Sequence, residues 1–121
     1  MKYVKLVAEA DGNSRWRDVD VALRERSFAP PAQAIEISDS LPASAALFLR
    51  LRAGWNQPVH PTPLWQTLIC VAGAVRVTAS NGEARDIGPG DVWMMQDTSG
   101  QGHHTKVISA EDFECVIVQH G

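Results

Sequence analysis

No apolar run in this 121-residue chain approaches the length needed to cross a membrane as a helix, so no membrane contact is expected. Basic clusters are missing too: Arg15 and Arg17 stand close together, as do Arg50 and Arg52, but no longer basic run exists. With a net charge of -3, the chain lacks the Lys/Arg density that tracks a phosphate backbone, which argues against nucleic-acid binding. Cysteine is scarce. Cys70 and Cys115 sit inside the apolar runs LICVA and ECVIV and read as buried free thiols rather than a disulfide framework. The opening stretch MKYVKLVAEADGNS has neither the long apolar segment nor the small-residue cleavage site of a secretory signal, so a cytoplasmic location is expected. Internal repeats and low-complexity segments are absent.

What is present is an ordinary globular composition, 45% hydrophobic and 21% charged, in a length that suits one domain with its own core. Glycine and proline cut the chain into short pieces that alternate apolar and polar residues. In AALFLRLR, Leu47, Leu49 and Leu51 share one face while Phe48, Arg50 and Arg52 share the other, which is strand periodicity. RDVDVAL alternates in the same way through Val19, Val21 and Leu23. QTLICVA and ECVIV are nearly all apolar, as central strands are. Asn81-Gly82, between VRVT and EARDI, signals a hairpin of type I′, and Gly88-Pro89-Gly90 marks the next corner. The pattern predicts about nine to eleven strands and no helix, hence an all-β sandwich or barrel. RSFAPPAQ, with Pro30-Pro31, is a loop or edge connection.

One spacing carries more information. From Gly54, five residues lead to His60, one more to Thr62, three more to Gln66 and six more to Gly73. This register resembles the first motif of the cupin family, in which a second histidine stands where this chain has Thr62 and a glutamate where it has Gln66. GPGDVWMM, at 88–95, resembles the turn and strand that open the second motif. Gly100-Gln101-Gly102-His103 follows in place of the family's proline-glycine-histidine segment, after a longer loop, QDTSGQG. The likeness spans roughly residues 45–118 and implies a single-domain jelly-roll β-barrel over 1–121, with residues 1–44 added to the barrel or to a dimer interface. QDTSGQGHHT is similar to a subgroup of small bacterial cupins.

Carried over by position, the resemblance makes His60, Gln66 and His103 ligands of a divalent transition metal (iron, nickel, manganese, copper or zinc), with His104 as the alternative to His103. Imidazole is a good ligand for such ions. Gln66 is neutral and Thr62 holds its proton, so the metal is expected to be weakly held unless a substrate carboxylate completes the shell. The residues themselves outline a pocket of His60, Thr62, Trp65, Gln66 and His103. If Gln66 points inward, strand parity turns Leu68 and Cys70 inward as well. If His103 points inward, so do Thr105 and Val107, while His104 and Lys106 point out. Arg50 joins the pocket if its face is the inner one, and a guanidinium there favours an anionic ligand. Trp55, Trp65 and Trp93 suit a pocket wall or an interface. Gly100 and Gly102 give the second-motif loop freedom to move.

Four functions compete. The first is a small-molecule-binding cupin for a polar or anionic ligand. The second is a metal-dependent enzyme of the dioxygenase or isomerase type. The third is an epimerase-like acid–base enzyme using His60 or His103. The fourth is a dimerisation platform. A homodimer is expected, through the N-terminal strand KYVKLVA and apolar outer faces. The fold by itself does not select among these.

Overall fold

The computed structural model describes all 121 residues. It contains eleven strands and no helix: β1 (Lys2–Ala8), β2 (Ser14–Asp20), β3 (Arg24–Arg26), β4 (Ile35–Ile37), β5 (Ala45–Leu51), β6 (Gln66–Ala72), β7 (Val75–Ala79), β8 (Ala84–Ile87), β9 (Val92–Gln96), β10 (His103–Val107) and β11 (Phe113–Gln119). The all-β expectation holds. Six strands form one sheet in the order β2-β1-β9-β6-β11-β5, and three form a second in the order β10-β7-β8. Only β1 and β9 run parallel; every other pairing is antiparallel. No helix is long and apolar enough to cross a membrane.

Alternation builds the core. Leu68 and Cys70 of β6, Trp93 and Met95 of β9, and Phe113, Cys115 and Ile117 of β11 turn inward from the larger sheet. Val75, Val77, Ile87 and Val107 meet them from the smaller one, in a single cluster. Leu6, Val75, Val77 and Phe113 are fully buried. Removing side chains of this size from water contributes about 1.5–3 kcal/mol each, which makes this interface the main source of stability. Both cysteines are buried free thiols facing one another across β6 and β11.

Two local expectations change. β2 ends at Asp20, and its buried face carries Ser14 and Trp16 rather than Val19, Val21 and Leu23. Trp16 fixes that parity: its indole packs on Trp93 at 5.9 Å and its N–H donates to the Glu83 carbonyl at 3.1 Å. The β7–β8 hairpin turns where expected, but only Gly82 has positive φ, so the turn is not type I′. The Gly82 N–H instead closes a turn on the Ala79 carbonyl at 3.0 Å and Gly82 supplies the left-handed residue, the usual alternative for a slightly longer loop.

The N-terminal strands split in behaviour. β1 lies between β2 and β9 with both edges paired, so it offers no free edge to a second copy. β3 and β4 pair only with one another, and residues 22–48 are exposed apart from the half-buried Ile37.

Candidate functional site

The segment after β5 folds back along β10. Asn56 bridges to Lys106, and His60 and His103 exchange both backbone hydrogen bonds, at 3.1 and 3.0 Å. Two residues on, the Thr62 N–H donates to the Asp97 carbonyl at 3.0 Å. The first motif is thereby sewn to the loop and strand of the second. Gly102 permits the close approach: a Cβ there would lie 2.2 Å from the carbonyl carbon and oxygen of His60, and its φ is +74°. Gly100 packs in the same way on Gly12, and the Gln101 N–H donates to the Gly12 carbonyl at 2.9 Å. The expected mobility of this loop is therefore corrected. Its glycines are demanded by contact, and they pin the loop.

Behind this seam lies a cavity of about 170 Å³ between the sheets. Its wall is largely apolar, with Leu49, Leu51, Trp55, Trp93, Met95 and Phe113 prominent. His60, Thr62, Gln66, His103 and Thr105 supply the polar groups, and no lysine, arginine or carboxylate side chain is in the wall. His60 is exposed at the mouth, whereas His103 is only 2% exposed.

Both imidazoles are held by the same nitrogen. His60 Nδ1 lies 2.9 Å from the Pro58 carbonyl oxygen, and His103 Nδ1 lies 2.5 Å from Oδ2 of Asp97. A carbonyl or carboxylate can only accept, so each Nδ1 carries the proton and each Nε2 presents its lone pair. Neither Nε2 has a partner in the chain. The ring centroids are 5.4 Å apart, and the Trp93 ring meets His103 edge-on at 5.2 Å.

Asp97 is the residue that motif spacing missed. It is fully buried in the loop after β9. One carboxylate oxygen takes the His103 Nδ1–H; the other accepts the Thr62 hydroxyl at 2.7 Å. Its only sequence signal is a carboxylate directly after the apolar strand VWMMQ, six residues before His103.

The expected pocket residues divide. His60, Thr62, Gln66 and His103 come together. Arg50 does not: parity turns Leu49 and Leu51 inward and puts Arg50 outside, where Glu114 binds it at 2.6 Å and raises the guanidinium's affinity for its proton. Arg52 pairs with Asp112 at 3.4 Å. Trp65 lies outside the cavity, against His120 at 4.8 Å. His104 points away and reaches the Asn56 side-chain oxygen at 2.6 Å, so His103 is the inward histidine.

The metal-ligand set falls short of a closed site. It offers two neutral imidazoles and an amide whose oxygen already accepts from Gln119 at 3.3 Å. Asp97 has both oxygens engaged, and no group of three or more His, Cys, Asp or Glu side chains converges anywhere in the chain. The donor set does not fit a divalent ion held by protein ligands alone.

Solved structures share this architecture. An RmlC-like cupin family protein with a double-stranded β-helix fold, from Methanocaldococcus jannaschii, is 15% identical, with 78% of this chain and 86% of that one covered at a TM-score of 0.53. The cupin domain of Schizosaccharomyces pombe Cnp3 is 14% identical, with 100% and 83% covered at 0.52. The chain has the cupin fold. A Cupin 2 conserved barrel domain protein from Salinispora arenicola agrees, at 21% identity, 84% and 78% coverage, and a TM-score of 0.50. No family model and no curated protein matches the sequence. At these identities the likeness speaks to the cupin fold, and function rests on the site.

Proposed function

We propose that this protein is a small-molecule-binding cupin whose ligand occupies the cavity against His60, Gln66 and His103. One observation carries the reading: a largely apolar cavity is bordered by two imidazoles, each held at Nδ1 and without a partner in the chain at Nε2. Small-ligand sites are commonly built this way, as an apolar wall with a few placed polar groups. The ligand is small, since a cavity of about 150 Å³ takes a molecule of benzene's size. It is mostly apolar and carries one polar or anionic group. With Arg50 outside, nothing in the wall selects for a highly charged molecule.

A thermal-shift screen of benzene-sized fragments bearing one polar group tests this, with wild type beside Leu68→Trp, which fills the cavity. Binding at 100 times Kd stabilises by about 2.7 kcal/mol, so a clear upward shift is expected in wild type and none in the variant. Fragments that bind both proteins alike would contradict the reading. Elemental analysis of protein purified without chelator, beside His60→Ala, tests the metal-dependent alternative of dioxygenase or isomerase type. Stoichiometric metal lost in the variant would replace the present reading.

The protein is also proposed to act as a homodimer, in the cytoplasm, where unpaired thiols are at home. The β3–β4 arm supports this. An isolated two-stranded hairpin is marginal in water, and this one exposes Phe28 and Ile35 while pairing with no other strand. Phe48 and Val71 are exposed on the outer face of the larger sheet, and one arm and one such face per copy suit a two-fold pair. Light scattering on the eluting protein should give a dimer, and Phe48→Asp a monomer. A monomeric wild type would refute this.

A further inference from the structure

We propose that two copies of this chain join edge to edge along β5, so that their six-stranded sheets become one continuous sheet across a two-fold axis. This rests on the homodimer reading and names the surface that the dimer uses.

Main-chain hydrogen bonds show which side of β5 is unspent. The Cys70 N–H donates to the Asp91 carbonyl and the Cys70 carbonyl accepts from the Gly90 N–H, both at 3.1 Å. Both groups therefore point from β6 toward the turn before β9. Cys70 stands opposite Cys115. Opposed residues of an antiparallel pair either exchange both bonds or turn both sets of groups away, so Cys115 directs its groups at β5. The His120 N–H donates to the Trp65 carbonyl at 2.9 Å and gives the same parity. Even-numbered residues on this side of the chain bond β6, and odd-numbered ones bond β5. Cys115 and Ile117 stand opposite Leu49 and Leu47. Ala46, Phe48 and Arg50 consequently direct their N–H and C=O groups away from the sheet, where β5 has no neighbour to receive them.

Other edges are protected. The outer edge of β10 is covered by the bridges to Asn56 and His60. β2 carries Arg15, Arg17, Asp18 and Asp20, and Arg85 of β8 reaches Asp18 at 2.8 Å. Charge along an edge discourages further pairing. β5, with the sequence AALFLRL, has one charged residue, Arg50, and that one is already bound by Glu114. An exposed apolar edge of this length invites another strand.

The edge is complementary to itself. Set antiparallel about Phe48, β5 of a second copy brings Phe48 opposite Phe48 and Ala46 opposite Arg50. Every outward N–H and C=O of these residues then finds a partner, and Leu47 and Leu49 of the two strands become the close, unbonded pairs between them. The small Ala46 leaves room for the Arg50 side chain and its bond to Glu114. Phe48 is 89% exposed in the single chain, and cross-strand aromatic pairs stabilise a sheet. Leu47 is 42% exposed, and its new neighbour across the axis, Leu49, belongs to the cavity wall. The second copy thus extends the apolar surface beside the ligand site. Each copy offers the same patch to the other, so the contact closes at two copies and leaves no bare β5 edge for a third.

Amide hydrogen exchange on the wild-type protein, read residue by residue, tests this at a concentration where light scattering gives a dimer. The amides of Ala46, Phe48 and Arg50 should exchange at least about tenfold more slowly than those of an unstructured chain, although no strand of their own copy protects them. Exchange at the unstructured rate in a proven dimer would overturn the edge pairing and leave the homodimer reading standing. A wild type that is monomeric throughout would overturn both. Ala46→Pro removes one outward N–H at a position where an edge strand tolerates proline, so it should give a folded protein whose dimer dissociates at a concentration at least about tenfold higher. A folded variant that dimerises as tightly as wild type would overturn the pairing. Wild-type exchange needs no variant and decides the question even if Ala46→Pro fails to fold.

Discussion

The cavity between the sheets and the hollow on the outside of the larger sheet are both lined mainly by apolar side chains. They differ in what their polar groups do. The outer hollow is the larger, about 450 Å³, and includes Phe48, Val71 and Val116. Its charges, Arg50 and Glu114, neutralise one another across it. The inner cavity is smaller, yet each of its imidazoles is held by one nitrogen and idle at the other. Volume alone would choose the outer hollow as the site. Oriented, unspent hydrogen-bonding groups choose the inner one, because such groups are costly to place unless something uses them. The outer face better suits a broad, unselective contact with another surface.

The largest expected way to break this contrast is Gly102→Ala. The new methyl would collide with the backbone of His60 at a left-handed φ, so either the seam opens or the chain unfolds. A loss of about 3 kcal/mol or more is expected by denaturant titration, at the upper end for single substitutions. A near-neutral result would mean that the two motifs are not held together as described.

Next come paired truncations of two phenylalanines. Phe113 is fully buried and Phe48 is 89% exposed. Phe113→Ala should cost about 3–5 kcal/mol, whereas Phe48→Ala in dilute protein should change the stability of the fold by under about 0.5 kcal/mol and weaken self-association instead. Equal effects on folding would erase the distinction between the two faces.

A smaller effect concerns thiol chemistry. Burial pushes the Cys115 thiol up to about 12 and raises Cys70 as well. The thiolate is the reactive form, so neither cysteine should label with an aromatic disulfide reagent at pH 8 until the protein unfolds. Rapid labelling of the native protein would show that the core opens.

The smallest is an acid effect at the exposed rim. The hydrogen bond from Arg76 lowers the Asp86 carboxyl, and that from Arg85 lowers Asp18. A carboxyl depressed by folding stabilises above its ordinary value, and that contribution is lost as the pH falls from the ordinary 3.8 through the lower folded value. The Arg76–Asp86 pair is exposed on both sides, so Arg76→Ala should shift the acid-unfolding midpoint upward only slightly. A large shift would mean that this pair is far less screened than its exposure implies.

Much of the cupin fold was legible in the sequence because its information is local. Period-two alternation, the Gly88-Pro89-Gly90 corner and the runs QTLICVA and ECVIV mark strands and their inner faces without reference to the rest of the chain. Parity put His103 and His104 on opposite faces, but it took the structure to show that His103 is the inward one. The site was only partly legible. Spacing brought His60, Gln66 and His103 together, but it carried the expectation of a metal with it. Asp97 escaped because its role depends on a contact with Thr62 across 35 positions, and no local pattern encodes that. Arg50 was a pocket candidate that the structure puts outside, because alternation tells which residues share a face, but not which face is inside. The loop glycines were read as freedom, whereas their neighbours in space, Gly12 and His60, make them a requirement.

The most direct test of the central claim is a chemical-shift map of the protein titrated with cyclohexanone. The account predicts saturable shifts at the Trp93 indole N–H, the Gln66 side-chain amide and His103. Shifts confined to Phe48, Val71 and Val116, with the inner cavity unmoved, would contradict it.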